Sequence, residues 1–341
     1  MESFDIIIIG AGPSGLNCAE TLAKSNKKVL LLEQKEIIGP KVCAGGLTGH
    51  DLDYLRLPDN LLDHKYKEMT LHTPFNKDVI KLDQYFVYTI DRKNLGQWQL
   101  KKLKKTNVTI RTNSKVTEIN KKFIVVNKTE KIKFKYLIGA DGSSSSVRRF
   151  LGLKTDELDI AIQYIIPTTK YKKFEVFFDS ELFHSWYAWI FPHKNYVSIG
   201  CGCDPKYLSS KNLIANFNKW LKKNKIDISN GEYQAHPINF DYQGYKFKNI
   251  FLVGDAAGLA SGFTGEGIYP ALISGEEIAK MIIDKNYVSP KMDELIRTKH
   301  LHNKILHFLE KSGPIRKIEY ELLGLLLKSK LIDKQLINII A

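Results

Sequence analysis

Residues 5–15 read Asp5-Ile-Ile-Ile-Ile9-Gly10-Ala-Gly12-Pro-Ser-Gly15, and this stretch decides the fold. Four consecutive isoleucines before a glycine turn are typical of a strand that is buried on both faces, as in a parallel sheet. Apolar positions at helical spacing follow the turn, and residues 28–32 then predict a second strand that ends at Glu33. The sequence therefore predicts a strand–turn–helix–strand unit that opens a Rossmann-like fold.

Each glycine of the turn has a separate physical role. Gly10 permits the tight turn, Gly12 lets a pyrophosphate approach the backbone, and Gly15 allows close packing of helix on strand. The first amides of the helix then offer unpaired N–H groups to the phosphates. Glu33 is placed to accept hydrogen bonds from ribose hydroxyls, which favours FAD or NAD over NADP.

Two later segments favour FAD over NAD. Residues 136–142 predict a strand followed by the turn Asp141-Gly142, and residues 249–258 predict a strand that ends at Gly254-Asp255. A carboxylate at the end of a strand, such as Asp255, can bind a hydroxyl of the flavin's ribitol chain. An NAD-only dehydrogenase is disfavoured, because a second nucleotide fingerprint and a catalytic His–carboxylate motif are both missing from the sequence.

The intervening residues predict a second, β-rich unit. Short runs of aromatic and β-branched residues recur through the middle of the chain, and amphipathic helical patterns follow from residue 291 onward. We expect an α/β protein with a discontinuous Rossmann-like FAD-binding fold, an inserted antiparallel-β substrate domain and C-terminal helices. The predicted ranges are 1–65, 91–160 and 245–290 for the FAD-binding domain, 66–90 and 161–244 for the substrate domain, and 291–341 for the helices.

Charge and cysteine content narrow the function classes. The chain of 341 residues has a formal net charge of +14, but it has no zinc-finger spacing and no RNA-recognition signature, so we predict no nucleic-acid partner. An anionic ligand or a membrane surface stays open. Four cysteines are too few for a disulfide framework, and Cys201-Gly-Cys203 lacks a matching Cys/His cluster, so we predict no metal site and a cytoplasmic location.

Taken together, these segments resemble the flavoprotein group that includes para-hydroxybenzoate hydroxylase. The resemblance runs from Asp5 to about Ile283. Arg92, in the stretch Asp91-Arg92-Lys-Asn-Leu, matches that group's arginine at the start of a helix beside the cofactor. A guanidinium near the pyrophosphate is also physically sensible.

Within that group, three segments are similar to the geranylgeranyl reductase family. They are Lys41-Val-Cys43-Ala-Gly-Gly-Leu47, Tyr187-Ala-Trp189-Ile-Phe191-Pro192, and Phe263-Thr-Gly265-Glu-Gly267-Ile268. Amides at the start of the helix after the third segment would stabilise the anionic reduced flavin. The resemblance implies cofactor contacts at Ser14, Glu33, Cys43, Ala44, Gly46, Arg92, Val116, Asp255, Gly265, Gly267 and Ile268, beside Gly10, Gly12, Gly15 and Asp141.

The resemblance implies that reduced FAD saturates carbon–carbon double bonds of a geranylgeranyl-type isoprenoid chain. Tyr187, Trp189 and Phe191 alternate along one predicted strand, so they either line the substrate pocket or form core. Cys43 either donates the proton that the alkene needs or is an inert thiol. The implied partners are an isoprenoid or prenyl-lipid substrate, an electron donor that is NAD(P)H or an acidic ferredoxin-like carrier, and a membrane surface touched peripherally.

Three other functions compete with this interpretation. The main alternative is an FAD-dependent aromatic monooxygenase that uses NAD(P)H and oxygen. A flavin halogenase is disfavoured, because Trp186 and Trp189 do not form that group's Trp-x-Trp-x-Ile-Pro signature. A flavin-binding or membrane-attached protein without catalysis is the third.

Overall fold

The computed structural model describes residues 1–329, and within that range the chain forms eighteen strands and nine α-helices. The strands are β1 (Glu2–Ile9), β2 (Val29–Leu32), β3 (Gly46–Thr48), β4 (His64–Tyr66), β5 (Glu68–His72), β6 (Lys77–Lys81), β7 (Val87–Thr89), β8 (Thr109–Arg111), β9 (Val116–Ile119), β10 (Phe123–Val126), β11 (Glu130–Gly139), β12 (Leu158–Ile166), β13 (Glu175–Phe177), β14 (Ala188–Pro192), β15 (Val197–Cys203), β16 (Glu232–Asn239), β17 (Lys246–Phe247) and β18 (Ile250–Leu252). The helices are α1 (Pro13–Leu22), α2 (Gly49–Leu55), α3 (Arg92–Leu103), α4 (Ser146–Phe150), α5 (Ser180–Phe183), α6 (Ser210–Lys223), α7 (Ile268–Ile283), α8 (Pro290–Lys311) and α9 (Arg316–Lys328).

The first sheet is built around the isoleucine run. Its order is β17-β18-β11-β1-β2-β8, and the five strands from β18 to β8 run parallel. Strand β10 pairs antiparallel with β11, and β9 pairs antiparallel with β10. Ile7 and Ile9 of β1 pack in one core cluster, whereas Ile6 and Ile8 pack in another on the opposite face. The run is continuous and apolar because the strand is covered on both sides.

The second sheet is mostly antiparallel. Its order is β16-β12-β15-β14-β13-β5-β6, and β13–β5 is its parallel pair. Strands β5 and β6 come from the short segment between β4 and β7, so two separate stretches of chain complete one sheet. The strands of a small sheet, β3-β7-β4, flank β5 and β6 in the sequence.

Helices α1 and α7 join the N-terminal unit to the late part of the chain. The Asn17 side chain of α1 donates to the Leu272 carbonyl of α7, 255 residues away, at 2.7 Å. A Cβ on Gly275 would lie 2.3 Å from the Ser14 carbonyl oxygen, so the two helices touch backbone to backbone there. The glycine turn and the segment after β18 therefore meet at one edge of the first sheet.

The predicted architecture is confirmed: a discontinuous, Rossmann-like α/β unit carries an antiparallel sheet and C-terminal helices. The predicted domain limits stay a prediction. The predicted helical range 291–341 contains most of α8 and all of α9, while residues 330–341 lie outside the described residues. Tyr187 was predicted inside a strand but lies just before β14, where its carbonyl oxygen still accepts the Gly202 amide of β15 at 3.4 Å. Within residues 1–329, no helix is long and apolar enough to cross a membrane.

Candidate active site

One cavity of about 760 Å³ runs from the glycine turn to the second sheet, within the ~300–1,000 Å³ range of ligand sites. It brings together nearly all of the residues that the sequence singled out. Those in its wall are Gly10, Gly12, Ser14, Glu33, Cys43, Ala44, Gly46, Arg92, Val116, Asp141, Tyr187, Trp189, Phe191, Asp255, Gly265, Gly267 and Ile268. Gly15 is the exception, because it is packed beneath the turn.

The glycine turn has one crowded side and one open side. Gly10 has a φ of +103°, and a Cβ there would lie 2.3 Å from the Ala140 carbonyl oxygen. A Cβ on Gly15 would lie 1.9 Å from the Gly10 carbonyl oxygen. Around Gly12, by contrast, no heavy atom lies within 4 Å of the Cβ position. The backbone at Gly12 therefore faces open cavity at the N-terminus of α1, which suits an anionic group.

Two carboxylates of the cavity wall are held by backbone amides. Glu33 accepts hydrogen bonds from the Ala11 and Lys35 amides at 2.9 and 3.0 Å, which fixes it beside the glycine turn. Asp141 accepts from the Ser145 hydroxyl at 2.5 Å and from the Ser146 amide at 2.7 Å. Asp141 therefore stabilises the start of α4, a role that its sequence context did not predict.

Asp255 follows β18 and forms an ion pair inside the cavity. Its carboxylate lies 2.9 Å from the Lys41 ammonium and accepts from the Ser143 hydroxyl at 3.1 Å. Burial raises the pKa of Asp255, but Lys41 and Ser143 hold it below the ordinary value. His236 of β16 also lines the cavity, and burial together with the charge of Lys41 lowers its pKa to about 4. At neutral pH, this region therefore holds a paired carboxylate and a neutral imidazole.

The loop Cys43–Gly46 is tied to the second sheet. The ring of His193 bridges the Ala44 carbonyl oxygen at 2.9 Å and the Asp63 carboxylate at 2.8 Å. A Cβ on Gly46 would lie 3.2 Å from the Phe191 ring, so this glycine lets the loop rest on the aromatic strand. The loop therefore has a fixed position between the two sheets.

An apolar chamber forms the end of the cavity toward the second sheet. Phe174 and Phe191 stack with ring centroids 3.8 Å apart, and Trp189 packs beside Phe191. The buried Trp189 indole donates to Ser198, so its polar atom is satisfied away from the chamber. Leu323 and Leu327 of α9 also reach the cavity wall.

A pair of carboxyl groups lies where the chamber meets the rest of the cavity. The Thr48 hydroxyl is 3.3 Å from Asp51 Oδ2 and 3.3 Å from Glu266 Oε1. Burial and the nearby Asp51 raise the pKa of Glu266 well above its ordinary value. Burial also raises the pKa of Asp51, against the hydrogen bonds from Thr48 and the charge of Arg92.

Sequence reasoning missed several of these groups. Glu266 and Lys41 lie inside two of the segments that are similar to the reductase family, and Thr48-x-x-Asp51 has the spacing of a helix capping box. These three features are visible in the sequence. Leu323, Leu327 and Phe174 carried no local signal, because only long-range packing brings them to the cavity.

The residues of the cavity fit an FAD molecule. The open backbone at Gly12 leaves space for a pyrophosphate. The Arg92 Nε atom is buried without a hydrogen-bond partner, so a cationic group there is available to an anion. Asp255 presents a carboxylate farther along the same cavity.

The sequence is similar to several other proteins over most of its length. An uncharacterized protein of Methanosarcina barkeri is 30% identical over 94% of this chain and 84% of its own length. The geranylgeranyl diphosphate reductase of Rhodobacter capsulatus is 28% identical, over 81% of this chain and 74% of its own. The digeranylgeranylglycerophospholipid reductase of Methanococcus vannielii is also 28% identical, over 89% and 84%.

Solved structures share the fold. A geranylgeranyl bacteriochlorophyll reductase-like protein from Thermoplasma acidophilum aligns with a TM-score of 0.81 at 21% identity, over 97% of this chain and 92% of its own. A p-nitrophenol 4-monooxygenase from Pseudomonas putida aligns with a TM-score of 0.73 at 16% identity, over 99% and 97%. Residues 3–273 match the FAD binding domain family. The chain therefore belongs to the FAD-binding domain family and is an FAD-dependent oxidoreductase whose relatives include geranylgeranyl reductases.

Proposed function

We propose that this protein saturates carbon–carbon double bonds of an isoprenoid chain. The observation that carries the proposal is the apolar chamber, which continues directly from the cofactor part of the cavity. Its wall is formed by aromatic and aliphatic side chains from both β14 and α9. A branched hydrocarbon chain would bury its surface there with little cost in unsatisfied polar groups. The names of the two reductase relatives support the same substrate class.

The proposed reduction needs a hydride for one alkene carbon and a proton for the other. When bound, reduced FAD supplies a hydride to one alkene carbon. The protein must hold the other alkene carbon near a proton donor, exclude water and orient the chain, since an isolated alkene offers no carbonyl to polarise. Cys43 and Glu266 are two groups of the cavity wall with a proton to give.

An anaerobic experiment tests the proposal. The purified flavoprotein is reduced with dithionite, and geranylgeranyl diphosphate and digeranylgeranylglycerophospholipid are then added separately. We expect flavin reoxidation together with a product that is heavier by about two mass units per reduced bond. A flavin that stays reduced with both substrates would contradict the proposal.

The alternative is an aromatic monooxygenase. It is supported by the fold shared with the p-nitrophenol 4-monooxygenase and by the stacked rings of the chamber, which would also accept a planar substrate. NAD(P)H consumption that a phenol stimulates in air, with hydroxylated product, would favour this function over the reductase.

The electron donor is NAD(P)H or an acidic ferredoxin-like carrier. The net charge of +14 supports a carrier of opposite charge. Anaerobic reduction of the bound flavin by NADH, by NADPH and by reduced ferredoxin, compared at low and high salt, separates these donors. Reduction by the donor that the protein uses should be the fastest of the three, and docking of an acidic carrier should also weaken with salt.

We also propose peripheral contact with a bilayer through the α9 face. We define this face by its exposed apolar residues, which recur at helical spacing: Ile315, Ile318, Leu322, Leu325 and Leu326, each 45–60% exposed. On the opposite side of the helix, Gly324 packs on Thr73, and Leu323 and Leu327 reach the cavity. A single helix thus separates the apolar chamber from an apolar outer surface, which would let a lipid chain enter from the membrane.

Vesicle sedimentation tests this contact. We expect the wild type to sediment with vesicles that contain phosphatidylglycerol, and L322D/L325D to stay in the supernatant. I214D on α6 is the matched control, because Ile214 is an exposed apolar residue of another helix. If the wild type ignores vesicles and forms dimers that the double variant loses, a second copy covers the α9 face instead.

A further inference from the structure

The loop that precedes α7 connects the two halves of the cavity. At one end, a Cβ on Gly265 would lie 3.2 Å from the Trp186 ring and 3.5 Å from the Tyr187 hydroxyl. At the other end, a Cβ on Gly267 would lie 3.3 Å from Asp255 Oδ1. Glu266 stands between them in the cavity wall. Its carboxyl group therefore belongs to the junction between the apolar chamber and the cofactor part of the cavity.

The contacts around Thr48 favour a proton on this carboxyl pair. The Thr48 hydroxyl has one hydrogen, yet it lies 3.3 Å from a carboxyl oxygen of Asp51 and 3.3 Å from one of Glu266. A carboxylate only accepts hydrogen bonds, so two ionised carboxylates would leave one of these contacts without a hydrogen. The arrangement is satisfied when one acid is protonated and donates to the Thr48 oxygen.

The surroundings assign that proton to Glu266. Asp51 Oδ2 also accepts the Thr48 amide at 2.9 Å, and the Arg92 charge favours ionised Asp51. Burial and the charge of Asp51 both raise the pKa of Glu266. Glu266 also interacts with the phenols of Tyr187 and Tyr269, whose pKa values are raised, chiefly by burial.

We propose that Glu266 is a catalytic residue that donates the proton to the alkene, with Thr48 and Asp51 as positioning residues. This inference rests on the proposed function. The π bond breaks, one carbon gains hydride from the reduced flavin, and the other gains the Glu266 proton. The flavin is oxidised, the alkene is reduced by two electrons, and the Glu266 carboxylate then takes a proton from water.

Cys43 is the rival donor, and its contacts favour it less. The Cys43 sulfur accepts a hydrogen bond from the Gly45 amide at 3.4 Å. This contact uses a lone pair of the sulfur and does not orient the S–H bond. The Cys43 carbonyl oxygen accepts from Gln163 at 3.3 Å, which fixes the loop without involving the thiol. The Glu266 carboxyl group, in contrast, lies 3.3 Å from the Thr48 hydroxyl, a contact that can orient a carboxyl proton.

Stopped-flow reoxidation of the dithionite-reduced holoenzyme tests the proposal. For E266Q we expect reoxidation by geranylgeranyl diphosphate or by digeranylgeranylglycerophospholipid to slow about 100-fold or more, the typical range for a lost general acid. Reoxidation by ferricyanide needs no proton at carbon and should stay within about twofold. E276Q is the matched control, because Glu276 lies on α7 in an ion pair with Lys280, and we expect wild-type rates. C43S should slow the reaction less than E266Q does, and a larger loss in C43S than in E266Q would make Cys43 the donor instead.

Infrared difference spectra give a readout that does not depend on turnover. We expect the wild type at neutral pH to show the C=O stretch of a protonated carboxyl group that E266Q lacks. In D51N the band should disappear at lower pH, since the negative neighbour is gone. An E266Q rate within about threefold of an active wild type, or an unchanged band, would overturn the role of Glu266. A wild type that no prenyl substrate reoxidises would instead overturn the proposed function.

Discussion

Gly12 and Gly15 are three positions apart in the same turn, yet their surroundings differ completely. A side chain at Gly15 meets the Gly10 carbonyl oxygen at 1.9 Å, whereas a side chain at Gly12 meets no atom within 4 Å. The fold therefore requires a glycine at Gly15. Glycine at Gly12 instead leaves space for a ligand in the cavity at the start of α1.

Alanine at each position should separate these two demands. We expect G15A to lower the free energy of unfolding by about 2 kcal/mol or more, because backbone must move to admit the Cβ. G12A should change the stability of the FAD-free protein by less than about 1 kcal/mol, since its φ of −77° suits alanine, yet it should lose FAD affinity. Thermal unfolding and flavin titration measure both effects. Wild-type FAD affinity in G12A would contradict the assigned role of this glycine.

At the residue scale, the sequence could predict only those contacts that depend on residues close together in the chain. The glycines, Glu33 and Asp255 could be predicted as cofactor contacts because the roles expected of them depend on position at the end of a strand or within a strand–turn–helix unit. The partner of Asp255 was not found, because Lys41 lies 214 residues away in the chain. The pairing of Asp51 with Glu266 was missed for the same reason: no local pattern reports that two distant loops share one threonine.

At the scale of elements, α3 is positioned by a contact between two glycines. A Cβ on Gly96 would lie 2.4 Å from the Gly39 Cα, so α3 and the loop before Lys41 touch without side chains. This contact places Arg92, the first residue of α3, in the cavity wall. It also fixes the start of the loop that carries Lys41 and Cys43.

Alanine at Gly96 should therefore destabilise the protein although it favours the helix. The gain in helix propensity is about 1 kcal/mol, but the clash with backbone costs about 1–3 kcal/mol. We expect a net loss in urea unfolding and a weaker hold on FAD. K101A, at an exposed position of the same helix, should be nearly neutral. A stabilised G96A would mean that the loop at Gly39 moves freely.

Elements with a strong period were predicted well, and short ones were not. The strand predicted over residues 5–9 is β1, which ends at Ile9 as expected but begins three residues earlier at Glu2, and the helical pattern predicted from residue 291 is α8, which begins at Pro290. Strands of two or three residues, such as β3 and β17, have too few positions for any period to show. The joining of β5 to β13 was equally hidden, because pairing partners are chosen by the assembled sheet rather than by local sequence.

At the scale of the whole molecule, α8 packs a carboxyl group against the second sheet. Burial, together with the charge of Asp204 beyond β15, raises the pKa of Glu310 to about 7. The folded protein then binds this proton more tightly than the unfolded chain does. The contribution of Glu310 to the free energy of unfolding should therefore fall as pH rises from about 4.5 to about 7, by at most ~1.4 kcal/mol per pH unit. Above that range it should stay constant.

Comparison with E310Q isolates this contribution. We expect the difference in unfolding free energy between E310Q and the wild type to shift in favour of E310Q across that pH range and to be constant at higher pH. Urea unfolding at several pH values measures it. A difference that does not change with pH would show that Glu310 is ionised in the folded protein throughout.

The contact between Asn17 and Leu272, which spans 255 residues, also has a consequence for biosynthesis. A ribosome releases the glycine turn early, but the helix that packs on it only after most of the protein has been translated. Until β18 and α7 are made, the strand β11 beside the isoleucine strand lacks its neighbour β18 and the sheet displays apolar surface, the kind of intermediate that aggregates or recruits chaperones. Premature termination before α7 would thus yield a nascent chain that carries the whole fingerprint and still cannot retain a flavin.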